Sequence, residues 1–452
     1  MSDSPAAPTA PTAPIFRDGM AKRPAKPPIR LFLSGGGHRA TIGSAGAICA
    51  LVDLGTWADV CEVISVSGGS VTNAALIRGH SIKGSREQTS SDDGASMEDQ
   101  ASPINDPRPA LADLIKRLLK DRASLLATPT RTAIMGFFLC SIVALGLVFG
   151  ASLGFVPVHL PAALILLIGV VTPMAVVMLT RIGLGWLWSD IVRALVDGRS
   201  IRLQGSASAR RHLFCASGLA SGVPYYFWSN GAAPTIAWGE VLQAGYSLHD
   251  AVLASTSLPG VGAVRAPSTL RNEVLVDGGV SGIFGQQREV AIERQAKDTF
   301  RGETQRVAID GGRHSVAYKE GLSPLTKFSI LFALSRWLKA SLEATYINDL
   351  GDFKDGQLIR LCRDPSMAPT NGANGAALDR VREETSKLGL FGVNKATTAD
   401  ALISGYVATR LAFQPAISSA ELLVGLRTTG VALGLGDLLA MRWQELSELG
   451  AS

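Results

Sequence analysis

The sequence predicts an α/β domain with a mostly parallel sheet, split by an apolar insertion long enough for two membrane-spanning helices. Three observations carry this. Apolar runs at Leu31–Leu33 and Val60–Val66 each end in a glycine-rich turn that opens a helical stretch. Strand, turn and helix repeated in this way build a parallel sheet with helices on its faces. Residues 132–180 contain no Asp, Glu, Lys or Arg, and strand-length apolar runs resume only beyond them.

Taken in order, residues 1–28 are rich in Ala, Pro and Thr and lack the apolar stretch of a secretory signal, so they read as a disordered lead-in. Residues 29–79 form the first part of the domain. Leu31–Leu33 is a strand, Gly43–Leu54 a helix, Val60–Val66 a second strand, and Ser70–Arg78 begins a second helix. From His80 to Pro109 the composition turns to Ser, Asp, Gly, Glu and Pro, which reads as a mobile loop. Leu111–Leu126 follows as a helix with Leu111, Leu114, Ile115, Leu118 and Leu119 on one face and Lys116, Arg117, Lys120 and Arg122 nearby. It either packs on the core or lies along an anionic membrane surface. Together residues 80–131 form a mobile loop and a basic amphipathic helix, and both are candidates for a lid.

Residues 132–181 are read as a transmembrane hairpin. Ala133–Phe155 and Pro161–Thr180 are each long enough to span a bilayer, which takes about 20 apolar residues, and residues 156–161 form the turn. A buried helical hairpin is the competing reading. Gly146, Gly150 and Gly154 recur at four-residue spacing and permit close helix contact. Arg131 precedes the two apolar runs, Arg181 and Arg193 follow them, and no basic residue lies in the turn, so the positive-inside rule places both ends in the cytoplasm.

Residues 182–452 complete the domain. His212–Ser217, Pro224–Trp228, Glu273–Val276 and Arg306–Ile309 read as strands. Leu248–Ser255, Leu325–Tyr346, Thr398–Phe413 and Ala420–Leu449 read as helices.

Composition excludes some function classes. The chain is 47% hydrophobic and 18% charged with a net charge of +5, and its basic residues form no runs or aromatic-interleaved patches of the kind that bind nucleic acid. Its five cysteines are scattered without C-x-x-C spacing, which points to a reducing compartment and no metal site. No dense carboxylate cluster suggests calcium, and no cofactor is expected.

The chemistry centres on Ser67. In Ser65-Val66-Ser67-Gly68-Gly69 a serine follows a β-branched run and precedes two glycines. This is close to the G-x-S-x-G elbow, which exposes a nucleophilic serine on a tight strand-to-helix turn. Ser65 replaces the leading glycine, a departure that keeps a small side chain. A serine hydroxyl also needs donors for the oxyanion and a base for its proton. Upstream, Ser34-Gly35-Gly36-Gly37-His38-Arg39 follows a strand. It lacks the ending of a Walker loop and the downstream acid of a dinucleotide loop. Gly35, Gly36 and Gly37 are candidates to turn backbone N–H groups toward one point beside a helix N-terminus. Arg39 adds a fixed positive charge that would hold a lipid phosphate, the loop itself, or a structural salt bridge. Among His38, His80, His159, His212, His249 and His314 none stands in an evident acid–base context, though a Ser-His-Asp triad stays open. Asp277, before Gly278-Gly279 at a strand end, is the better base, and Asp310-Gly311-Gly312 repeats the same pattern.

Four segments in order resemble the patatin-like phospholipases: Ser34-Gly35-Gly36-Gly37-His38-Arg39, Ser65-Val66-Ser67-Gly68-Gly69-Ser70, Ala254-Ser255-Thr256-Ser257-Leu258-Pro259-Gly260 and Val276-Asp277-Gly278-Gly279. The Ser-Gly-Gly-Gly-x-Arg form resembles the cytosolic phospholipase branch. The resemblance spans Ile29–Gly79 and His212–Gly285, with the helices near Ala401–Phe413 a weaker match; the hairpin is not part of the family's common core. It implies a three-layer sandwich and hydrolysis of acyl esters by a Ser–Asp dyad, with Ser67 as nucleophile, Asp277 rather than Asp310 as base, and Gly35, Gly36 and Gly37 as oxyanion hole. With the hairpin, it implies a lipid substrate met at the cytoplasmic face of a membrane, a bacterial inner membrane being the expected setting. Acyl transfer to a lipid alcohol, or an inactive membrane scaffold, are the alternatives.

Overall fold

A computed structural model describes residues 27–90, 106–127, 188–197, 199–203, 210–229, 240–242, 245–257, 264–265, 273–280, 304–312, 356–363, 370–388 and 393–448. The hairpin expected at residues 132–181, the lead-in up to residue 26 and the helix expected at Leu325–Tyr346 lie outside the described residues. Among the described residues, no helix is long and apolar enough to cross a membrane.

The first half begins with β1 (Ile29–Leu33), α1 (His38–Asp53), β2 (Val60–Val66), α2 (Gly68–Ser90) and α3 (Arg108–Ala127). A helix described over residues 188–196, here α4, precedes β3 (Arg211–Gly218), β4 (Pro224–Ser229), β5 (Glu240–Val241) and α5 (Leu248–Thr256). Then come β6 (Val264–Arg265), β7 (Val274–Asp277), β8 (Gln305–Asp310) and β9 (Gln357–Arg360). The chain closes with α6 (Ala373–Ser386), α7 (Lys395–Phe413), α8 (Ser419–Ala432) and α9 (Leu438–Glu448).

The nine strands form one sheet in the order β5-β4-β3-β2-β1-β8-β9, with β7 pairing β3 and β6. The centre, β3-β2-β1-β8-β9, is parallel throughout, while β4 and β7 run antiparallel to β3. The expected mostly parallel α/β sheet is present. Both of its faces are buried, which is why β1 reads as a nearly continuous apolar run. Leu31, Leu33, Val63 and Phe214 belong to the core shared with the helices, and Phe32, Ile64, Val66 and Leu213 pack on the opposite face. Register is reinforced by charge. Arg30, Glu62 and Arg211 lie opposite one another on β1, β2 and β3, with Arg30–Glu62 at 3.6 Å and Arg211–Glu62 at 3.7 Å.

On the helical face α1 lies directly against α7. A Cβ on Gly46 would strike the Leu402 carbonyl and one on Gly405 the Gly43 carbonyl, so small residues let the two backbones touch. This contact holds α1, and with it the glycine loop that precedes α1.

Three sequence expectations change. The loop expected from His80 begins later, because α2 runs on to Ser90. The single helix expected over Ala420–Leu449 is two helices, broken where Gly434 and Gly436 take φ of +74° and +58°, a region disfavoured for L side chains. The strand β9 and helix α6 were not anticipated; one is four residues long and the other is rich in charge, so neither offers a long periodic apolar pattern.

Candidate active site

Ser67 sits at the junction of β2 and α2 with φ +52°, in the left-handed region. For a non-glycine residue that conformation costs on the order of 1–3 kcal/mol and persists only where its surroundings impose it. They do so here. The Ser67 N–H donates to the carbonyl and to the hydroxyl of Ser255, each at 3.1 Å. Gly69 N–H donates to Ser34 O (3.2 Å), and the Thr41 hydroxyl donates to Gly68 O (2.8 Å). Gly68 and Gly69 have no room for a Cβ, which would meet the Gly37 carbonyl and the Leu33 backbone. The two glycines after the serine are thus required by the close approach of the glycine loop at Gly37 and of the end of β1 at Leu33.

Ser65, the departure from the elbow pattern, has a structural role. Its buried hydroxyl donates to Leu213 O (2.8 Å) and accepts from Asn73 Nδ2 (2.8 Å) and Ser70 Oγ (3.1 Å). Ser70 Oγ lies 2.8 Å from Ser255 Oγ, which in turn donates to Cys215 O at 2.6 Å. Asn73 Oδ1 also meets His212 Nδ1 at 2.6 Å. A buried polar network therefore lies beneath the elbow, and His212 belongs to it rather than to the cavity.

Asp277 reaches Ser67 through sheet register. β3 pairs β2 as far as Cys215↔Val66, and its next residue, Ala216, pairs with Asp277 of β7. The strand carrying the base and the strand leading to the nucleophile therefore end next to each other, at Asp277 and Val66. Gly279 N–H donates to Asp277 Oδ1 at 2.8 Å, and the Ser67 hydroxyl lies near enough to the Asp277 carboxylate to favour its charged form. Burial pushes the Asp277 carboxyl up to about 6, against the opposing pull of the serine hydroxyl and the Gly279 N–H. A base that titrates just below neutrality suits proton abstraction near pH 7.

The C-terminal end of α5 fixes both residues. Ser255 receives the Ser67 N–H, and two residues later Ser257 O receives the Asp277 N–H at 2.6 Å. This is the structural content of the segment Ala254–Gly260, as far as it is described.

Ser67 and Asp277 open onto a cavity of about 120 Å³. At its polar end lie Gly37, His38, Thr41, Gly68 and Thr256; Val71, Trp188, Ile191, Val192 and Leu195 supply an apolar wall. The first residues of α1 and α2, His38 and Gly68, both border it. The unpaired N–H groups and dipole of a helix N-terminus favour negative charge, so two such ends beside one hydroxyl suit an oxyanion.

Each residue singled out in the sequence can now be placed. Gly37 borders the cavity, in the left-handed conformation with φ +61°. Gly35 lies against Ser67, where a Cβ would sit 3.3 Å from the serine Cβ. Gly36 packs against the Gly311 carbonyl. Asp310, the rival Asp-Gly-Gly aspartate, is buried and accepts from Ser34 Oγ (3.4 Å) and Gly312 N–H (2.9 Å), while Ser34 Oγ accepts from Gly311 N–H (2.7 Å). The second Asp-Gly-Gly thus braces the glycine loop from β8. Arg39 is not among the cavity residues; its Nη1 donates to Ser386 O at the carbonyl end of α6 (3.3 Å). Three cavity features were missed. His38 borders the cavity, Gly68 offers a backbone there, and α4 forms the wall. The wall was legible: positions 188, 191, 192 and 195 are an apolar stripe of helical spacing.

No protein-family model and no curated protein matches the chain. Among solved structures, human GIVD cytosolic phospholipase A2 aligns with 94% of this chain at 11% identity and a TM-score of 0.37. VipD from Legionella pneumophila aligns with 95% at 12% identity and a TM-score of 0.26. The chain spans 60% of the human protein and 88% of VipD. At these scores the likeness carries no weight, and the site stands on its own geometry.

Proposed function

We propose that the protein is a patatin-like serine hydrolase that cleaves acyl esters of phospholipids or related glycerolipids. One observation carries this reading: the Ser67 hydroxyl and the buried Asp277 carboxylate lie side by side at the polar end of an apolar-walled cavity. Asp277 accepts the hydroxyl proton as Ser67 Oγ attacks the ester carbonyl carbon. Backbone N–H groups of the glycine loop, together with that of Gly68, face the negative oxygen that forms. As the intermediate collapses, the C–O bond to the lipid alcohol breaks and the alcohol takes the proton back from Asp277. Water then gives its proton to Asp277 and attacks the acyl-enzyme; Ser67 leaves with that proton and a free fatty acid is released. The wall of Val71, Ile191, Val192 and Leu195 suits a hydrocarbon chain.

We also propose that residues 132–181 anchor the enzyme in a membrane with the active site on the cytoplasmic face. The charge-free run supports this, and Trp188 of the cavity wall lies only eight residues beyond its last residue, Thr180.

The test is product release. The purified full-length chain, given a phospholipid in mixed micelles, is expected to liberate fatty acid, and Ser67→Ala and Asp277→Asn to lose at least about a hundredfold of that rate. Undiminished release from either variant would remove the dyad. Transfer of the acyl group to an added lipid alcohol in place of free fatty acid would make the enzyme a transferase.

A further inference from the structure

A second site lies outside the cavity. A groove of about 880 Å³ runs between α3, the start of α7 and the turn joining α8 to α9. Leu119 of α3, Leu435 of the turn and Leu438 at the start of α9 give it an apolar floor. Lys116 and Lys120, one turn apart on α3, and Lys395, the first residue of α7, are exposed around it. Among the described residues none of these three lysines forms an ion pair; Lys387 is the lysine that does. The one acid of the groove, Asp113, is already engaged by Arg78 (2.8 Å) and Arg117 (3.0 Å). Lys395 also stands at a helix N-terminus, which adds to the positive field.

We infer that this groove seats one anionic lipid of a bilayer surface, with its headgroup among Lys116, Lys120 and Lys395 and hydrocarbon against Leu119, Leu435 and Leu438. A soluble anion would have no use for the leucine floor, and a neutral hydrocarbon would leave three ammonium groups unmatched. An amphiphile with an anionic head satisfies both. The seat is one helix away from the reaction. Arg117 of α3 donates to Ala194 O of α4 at 3.0 Å, and other residues of α4 wall the active-site cavity. A lipid held on α3 would fix that part of the molecule at the membrane surface. The inference does not depend on Ser67 being a nucleophile.

The experiment uses the full chain carrying Ser67→Ala, so that no probe is consumed, in a non-ionic detergent. Binding of fluorescent phosphatidylglycerol and phosphatidylcholine is followed by anisotropy. Phosphatidylglycerol is expected to bind about tenfold more tightly at low salt, and 0.5 M NaCl is expected to erase most of that margin. Lys116→Gln/Lys120→Gln/Lys395→Gln, surface changes that leave the thermal melt in place, is expected to bind both lipids alike. Equal binding of the two lipids by the parent protein would overturn the inference, as would a preference that survives the triple substitution. Competition by glycerol phosphate as effective as by the whole lipid would reduce the groove to a simple anion site. Tighter binding of a polyglutamate peptide would assign it to a protein partner.

Discussion

The main-chain N–H of Ser67 donates to both oxygens of Ser255, carbonyl and hydroxyl, each at 3.1 Å. Ser255 is therefore a positioning residue for the strained elbow. Ser255→Ala removes the hydroxyl that meets Cys215 O, Ser70 Oγ and the Ser67 N–H, and is expected to cost about 1–3 kcal/mol of stability. Because it loosens the nucleophile without touching substrate, kcat is expected to fall about 10- to 100-fold while KM stays within about twofold. Steady-state kinetics beside a thermal melt checks this. A fall in stability with kcat intact would leave Ser255 a purely structural residue.

The pH dependence follows from Asp277. The base must be ionised, so kcat/KM is expected to drop tenfold per pH unit below about 6, the value to which burial raises this carboxyl. The stability effect has the opposite sense. Between about pH 4 and 6 the folded chain holds this proton more tightly than the unfolded chain, so stability falls as pH rises through that window. Asp277→Asn removes the effect. It is expected to melt higher than wild type at pH 7.5, by at most on the order of 3 kcal/mol, with the gap closing at pH 4. A variant less stable than wild type at pH 7.5 would contradict the cost assigned to the buried carboxylate.

His38 borders the cavity, so it is the histidine against which the dyad is tested. With Asp277 as base, His38→Ala is expected to keep activity within about tenfold of wild type, and a triad would lose on the order of 10⁶-fold on removal of its histidine. The acidic limb of the pH profile is expected to survive in His38→Ala; its disappearance would transfer the role of base to the histidine.

Much of this site is legible in the sequence, and the rest fails to show for a physical reason. Val60–Val66 is predicted and observed with the same bounds, because a β-branched run closed by glycines is a local signal. Ser67, its flanking glycines and the Asp277 strand end are local signals as well. The meeting of Ser67 with Asp277 is not local: it depends on successive residues of β3, Cys215 and Ala216, pairing with β2 and then β7. The same holds for Asp310, which the sequence presents as equivalent to Asp277 and which the structure places behind the glycine loop. Arg39 reads as a residue near the chemistry, yet the turn into α1 carries its guanidinium to Ser386 O.

The proposed membrane hairpin has its own test. Val158 lies in the turn between the two apolar runs, so a reporter active only in the cytoplasm is expected to be silent when fused there. The same reporter is expected to be active when fused after Ser452. Activity at both points would remove the two-helix topology.

The central claim is that Ser67 is a nucleophile activated by Asp277. Labelling of the full-length chain with a fluorophosphonate, with the modified peptide identified by mass spectrometry, tests it most directly. The account predicts one adduct, on Ser67, absent from Ser67→Ala and formed at least about a hundredfold more slowly in Asp277→Asn. An adduct on another residue, or labelling at equal rate in wild type and Asp277→Asn, would contradict it.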